Sequence, residues 1–175
     1  LVVVDESHAL RRLVQCAHRA GRHTGGLQAL HALALDVARG VGDIIALDVL
    51  PFDPIDGVSF IQGDFRDEVV LAQLVGKMGG RHADVVVSDM APNLSGIESA
   101  DAARMAHLVE LAVEFALRHL KPEGALVCKV FHGSGYSQLA KLFKDTFRTV
   151  KPIKPKASRD KSAETFLVGI GLKRN

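Results

Sequence analysis

Residues 44–48, Ile44-Ile45-Ala46-Leu47-Asp48, form a short apolar run closed by an acid, and the pattern recurs along the chain. Similar runs lie at residues 1–4, 58–61, 85–87, 125–130 and 166–171. Runs this short, without polar alternation, mark strands buried on both faces. Between them the sequence switches to helical spacing. Ala102, Met105, Leu108, Ala112, Phe115 and Ala116 recur at that spacing in a helix expected over 99–120, which Lys121-Pro122-Glu123-Gly124 should stop. Two further helices are expected, over 67–78, opened by acids, and over 138–147. Such alternation predicts an α/β fold, with a mostly parallel sheet covered by helices on both faces. The last run follows a polar stretch, 154–163, instead of a helix, so it is expected to lie antiparallel to its neighbour.

Ligands of open parallel sheets bind beyond the carboxyl ends of the strands. Acids hold that position after four successive runs: Asp5, Asp48, Asp64 and Asp89. A carboxylate buried at a strand end needs a partner. A nucleoside-type cofactor, with ribose hydroxyls, an adenine amine and a sulfonium cation, would supply one; simple loop capping is the plainer alternative.

At 175 residues the chain fits one domain, expected to span 1–175 with a complete core. No run of about eighteen apolar residues occurs, so no membrane association is expected. Leu1-Val2-Val3-Val4-Asp5 reads as the first strand of a fold already under way, which predicts a segment preceding it. Cys16 and Cys128 match no metal or redox spacing and are expected to be reduced thiols of a cytoplasmic protein. The net charge of +2 hides an asymmetry: residues 141–175 hold ten Lys or Arg against three acids, +7, while the remainder is −5. A basic C-terminal surface on an acidic body suits a polyanion, nucleic acid first, although a solvated lysine-rich face would read the same.

Three strings resemble one family closely: Ile44-Ile45-Ala46-Leu47-Asp48-Val49-Leu50-Pro51, Phe60-Ile61-Gln62-Gly63-Asp64-Phe65-Arg66-Asp67 and Val87-Ser88-Asp89-Met90-Ala91-Pro92-Asn93-Leu94-Ser95-Gly96. Lys129-Val130-Phe131-His132-Gly133, Lys154-Pro155-Lys156-Ala157-Ser158-Arg159 and Ser162-Ala163-Glu164-Thr165-Phe166 continue the match. From Asp43 onward the chain resembles the FtsJ (RrmJ) family of ribosomal RNA large-subunit methyltransferases, which modify a uridine 2′-hydroxyl. That resemblance implies a Rossmann-like methyltransferase fold with a seven-stranded sheet whose last strand is antiparallel. It implies S-adenosyl-L-methionine as cofactor, ribosomal RNA within the large subunit as partner, and a monomer. It also assigns roles. Asp5, Asp48, Asp64, Phe65 and Asp89 would bind the cofactor, with Asp48 at the ribose, Asp64 and Phe65 at the adenine, and Asp89 at the methionine end. Lys129 would be catalytic beside Asp89 and Glu164, and Lys154, Lys156, Ser158 and Arg159 would hold RNA.

The chemistry explains these residue types. Positioning supplies much of the acceleration of an in-line methyl transfer. A ribose hydroxyl is a very weak acid whose proton must leave as the new bond forms. Lys129 could take that proton if neutral, or as an ammonium hold the hydroxyl and stabilise its developing charge. Neighbouring carboxylates favour the charged amine, so Asp89 and Glu164 suit orienting Lys129 better than making it basic.

Two departures stand against the resemblance. A further catalytic lysine of the family precedes the first strand and falls outside this chain. After that strand the family has Asp-Leu-Gly-Ala-Ala-Pro-Gly-Gly, whose glycines let the backbone approach the cofactor. Here Asp5 is followed by Glu6-Ser7-His8-Ala9-Leu10-Arg11-Arg12, and the chain has no tryptophan. A shifted reading frame is one explanation: were Arg12-Leu13-Val14-Gln15 encoded CGG-CTG-GTC-CAG, the next frame would read Gly-Trp-Ser. Divergence that weakens cofactor binding is the other. His8, His18, His23 and His31 crowd this region at spacings that fit no zinc pattern, so no metal is expected. His132 is expected to line the substrate cleft.

The leading reading is a methyltransferase. An RNA-binding module without methyl transfer is the runner-up. A nicotinamide-dependent oxidoreductase would share the alternation but lacks Gly-x-Gly-x-x-Gly after the first strand.

Overall fold

The structure is a computed structural model that describes residues 1–5, 43–51, 53–133, 135–154 and 164–173. Its elements run β1 (Val2–Asp5), β2 (Asp43–Asp48), β3 (Val58–Gln62), α1 (Glu68–Met78), β4 (Ala83–Ser88), α2 (Glu98–His119), β5 (Leu120–Phe131), α3 (Tyr136–Thr146), β6 (Phe147–Ile153) and β7 (Glu164–Leu172). The strands join one sheet in the order β3-β2-β1-β4-β5-β7-β6.

The helices start and stop where local chemistry dictates. Asp67 caps α1 by accepting from the Val69 N–H at 2.8 Å, and Gly79, with φ of 60°, ends it in the left-handed region that glycine enters freely. Along α2 one face buries Met105, Val109, Ala112, Val113, Phe115 and Ala116. Leu139 and Phe143 do the same for α3. The three described helices pack on one face of the sheet, against a core that includes Ile45, Val86, Leu126 and Val130. Each Leu, Val or Phe fully buried there stabilises the fold by about 1.5–3 kcal/mol. The opposite face buries Ile44, Ala46, Val85, Val87, Val127 and Val168. No described helix belongs to that second cluster, so among the described residues helices cover one face and not the expected two.

Strand directions correct one expectation. Parallel pairing joins β2 to β3 and β4 to β5. The last strand, β7, is antiparallel to β5 and β6. The first strand, expected parallel, is antiparallel to both β2 and β4. An apolar run buried on both faces carries no directional signal, because only its connection to the next strand fixes which way it points. That connection is residues 6–42.

Two more readings change. Residues 121–124, expected to stop α2 before the next strand, lie within β5, which starts at Leu120 and whose pairing with β4 shifts register between Ala83 and Val85 of that strand. The edge strand β6 escaped the apolar-run reading because only Phe147 is buried in Phe147–Ile153.

Candidate active site

The carboxyl ends of β2, β3 and β4 open on one cleft of about 890 Å³, lined by Asp48, Asp64, Phe65, Asp89 and Lys129 among others. Register brings the last two together. Ser88 lies opposite Cys128 in the parallel β4–β5 pair, so one step further sets Asp89 beside Lys129. Lys129 Nζ is 2.9 Å from Asp89 Oδ1, with only 12% and 11% of the two side chains exposed. Removing one partner of so sequestered a pair leaves the other as an uncompensated buried charge. Apart from this charge contact, Asp89 Oδ1 accepts no hydrogen bond among the described residues. It therefore keeps acceptor capacity at the cleft.

Asp48 sits at the turn leaving β2, where its Oδ1 accepts from the Leu50 N–H at 2.9 Å. Its carbonyl accepts from the Gly63 N–H at 2.9 Å, which ties the ends of β2 and β3 together. Gly63 is required there because a Cβ would stand 2.6 Å from Val70 of α1. Asp64 follows, and Arg66 engages both of its carboxylate oxygens, Nη2 reaching Oδ2 at 2.5 Å. These hydrogen bonds hold the Asp64 carboxyl below its ordinary range. The pair is solvent-exposed, so a ligand can displace Arg66 at little cost. Phe65 turns inward, its ring 5.8 Å from that of Phe115 at 73°, and anchors the cleft floor to the core.

The facing wall runs from Met90 to Ser95. It is held by Asp101 of α2, whose carboxylate accepts from Ser95 N–H and Oγ at 2.8 Å and from Gly96 N–H at 3.0 Å. Those bonds, the Ser95 N–H first, lower the Asp101 carboxyl below its ordinary range. Arg104 reaches Asp101 Oδ1 at 3.1 Å and the Asn93 carbonyl at 3.3 Å, closing the clamp. Sequence reasoning missed Asp101 and Arg104. Their i, i+3 spacing is a common helical pair and becomes informative only with Ser95-Gly96 opposite it.

The remaining expected residues divide. Glu164 lies opposite Phe131, two positions beyond Lys129 on the same edge, and is exposed. Lys154, also exposed, follows β6 at that edge. Lys156, Ser158 and Arg159 lie outside the described residues, as do His8, His18, His23 and His31. Asp5 is a correction. Expected after the first strand at the cleft, it instead pairs with Asp43, where β2 begins, at the end of the sheet opposite the cleft. Among the described residues no three His, Cys, Asp or Glu group as a metal site, and no helix is long and apolar enough to cross a membrane.

Comparison with known proteins agrees with the architecture. The chain is 74% identical over 133 residues to the ribosomal RNA large subunit methyltransferase E of Acidovorax sp. (strain JS42), covering 76% of this chain and 60% of that protein. It is 76% identical over 132 residues to the Methylibium petroleiphilum protein of the same name, covering 75% and 59%. The chain thus spans about 60% of the length of the curated relatives it matches. The crystal structure of a ribosomal RNA methyltransferase from Plasmodium falciparum superposes with a TM-score of 0.74 at 22% identity, over 95% of this chain and 97% of that one, and shares the fold. The pattern of the FtsJ-like methyltransferases matches residues 19–172, and the chain belongs to that family.

Proposed function

We propose that the chain is the catalytic domain of an S-adenosylmethionine-dependent methyltransferase acting on a uridine ribose 2′-hydroxyl in large-subunit ribosomal RNA. The observation that supports this most is the sequestered Lys129–Asp89 pair inside a cleft bordered by Asp48 and Asp64. The family and the names of its relatives supply the reaction class and the RNA.

The donor set fits the cofactor. Asp48, at the end of β2, would accept from ribose hydroxyls, and Asp64 would accept from the adenine amine once Arg66 swings away. Asp89 keeps a buried oxygen with acceptor capacity, suited to a cationic centre. When bound, S-adenosylmethionine supplies an electrophilic methyl group on a sulfonium sulfur.

The chain's own residues govern the hydroxyl. Lys129 reaches the cleft from β5 with its amine fixed by Asp89, and a fixed amine orients the acceptor oxygen. Lys129 would donate a hydrogen bond to the 2′-oxygen and stabilise the negative charge that develops there as the hydroxyl proton passes to the Asp89 carboxylate, whose Oδ1 keeps acceptor capacity beside it. Glu164, on the neighbouring strand, stands close enough in register to assist at the RNA side.

Lys129→Ala tests this reading. Methyl transfer to ribosomal RNA, followed with labelled cofactor, should fall below detection, while cofactor affinity measured by calorimetry stays within about threefold. Transfer retained at the parent rate would remove Lys129 from the mechanism.

A further inference from the structure

Three residues beyond Lys129, β5 gives way to a turn that displays an aromatic stack. The rings of His132 and Tyr136 lie 4.4 Å apart at 28°, face on face. Tyr136 is the single tyrosine of the chain and packs partly buried against the core. His132 covers it and is exposed to solvent. Other ring contacts involve buried phenylalanines, namely Phe65, Phe115, Phe143 and Phe147.

The turn beneath the stack is set by glycine. Gly133 and Gly135 have φ of 147° and 90°, a region that side-chain-bearing residues avoid. The Tyr136 N–H donates to the Gly133 carbonyl at 3.3 Å, and the Leu139 N–H to the Gly135 carbonyl at 3.2 Å. The turn also rests on α2, since Cβ atoms added at Gly133 and Gly135 would come within 3.7 Å of Glu98 Oε1 and 3.8 Å of the Ala102 Cβ.

We propose that the His132–Tyr136 stack is a platform for an unpaired RNA base next to the nucleotide whose ribose meets Lys129. Three extended residues span roughly 10 Å, the reach of one to two nucleotide steps from the Lys129–Asp89 pair. Single-stranded RNA is recognised by stacking splayed bases on aromatic side chains, which tolerates any base identity. The platform rests on the RNA reading above and adds a binding site outside the cofactor cleft.

The test is fluorescence titration of the wild-type chain, without cofactor, using a single-stranded RNA oligonucleotide that carries 2-aminopurine beside a central uridine. Stacking should quench the probe as it binds. His132→Ala should lose the quench and weaken affinity about tenfold, the size expected for one stacked base. His132→Phe should keep both, and the melting temperature of each variant reports that the fold is intact. An unchanged quench and affinity in His132→Ala would overturn the platform. So would failure of the wild-type chain to bind this RNA, whereas failure of the methyltransferase reading would show separately as absence of cofactor binding.

Discussion

The pair at the centre of the cleft exists because two parallel strands end in step. Asp89 and Lys129 are neighbours by register, and only 11–12% of their side chains is exposed. Both were legible in the sequence through the strings around them. Arg66, Asp101 and Arg104 were not, because a charged side chain on a turn or helix surface says nothing of its partner until the fold brings one. Cys128, one position before Lys129, illustrates how local the chemistry is. It is wholly buried, and desolvation pushes its thiol up to about 12 despite a hydrogen bond from Ser88. The fold thus keeps the thiol protonated, and stability should fall only as pH rises above the ordinary thiol range toward that value. At pH 8.5 iodoacetamide should leave Cys128 unlabelled in the folded protein and label it in urea, as peptide mass spectrometry would read. Rapid labelling of Cys128 in the native state would contradict the burial.

At the scale of elements, the strands and helices that the sequence announced are those with strong patterns. Helix α2 was expected over 99–120 and spans Glu98–His119 because its apolar stripe is unbroken. Strand β6 was missed because an edge strand that carries Arg148, Lys151 and Pro152 and buries only Phe147 offers little apolar signal. The direction of β1 was not legible, since apolar runs are symmetric, and Asp5 went to the wrong end with it. The β6–β7 edge can be tested through Gly169. It is packed directly beneath the ring of Phe147, itself 1% exposed, so an added methyl has no room. Gly169→Ala should destabilise the fold by about 2 kcal/mol through overpacking, read as a lowered urea midpoint. An unchanged midpoint would mean the edge is looser than described.

Across the whole molecule, function depends on sheet order more than on any one contact. Five strands, β2 to β6, point one way, so their ends deliver Asp48, Asp64, Asp89 and Lys129 to a single opening. Of the basic C-terminal residues, Lys154 follows β6 at the end of the sheet that bears that opening, whereas Arg148 lies at the other end against Glu123. The sequence lacks the family's glycine loop after its first strand, so cofactor binding is the step on which the proposed function turns. Calorimetric titration of the chain with S-adenosylmethionine, and with S-adenosylhomocysteine as second ligand, addresses that most directly. The account predicts saturable binding at one site, with a dissociation constant on the order of micromolar, near −8 kcal/mol. Absence of binding by either ligand would contradict it, because a cleft that cannot hold the cofactor has no methyl group to transfer.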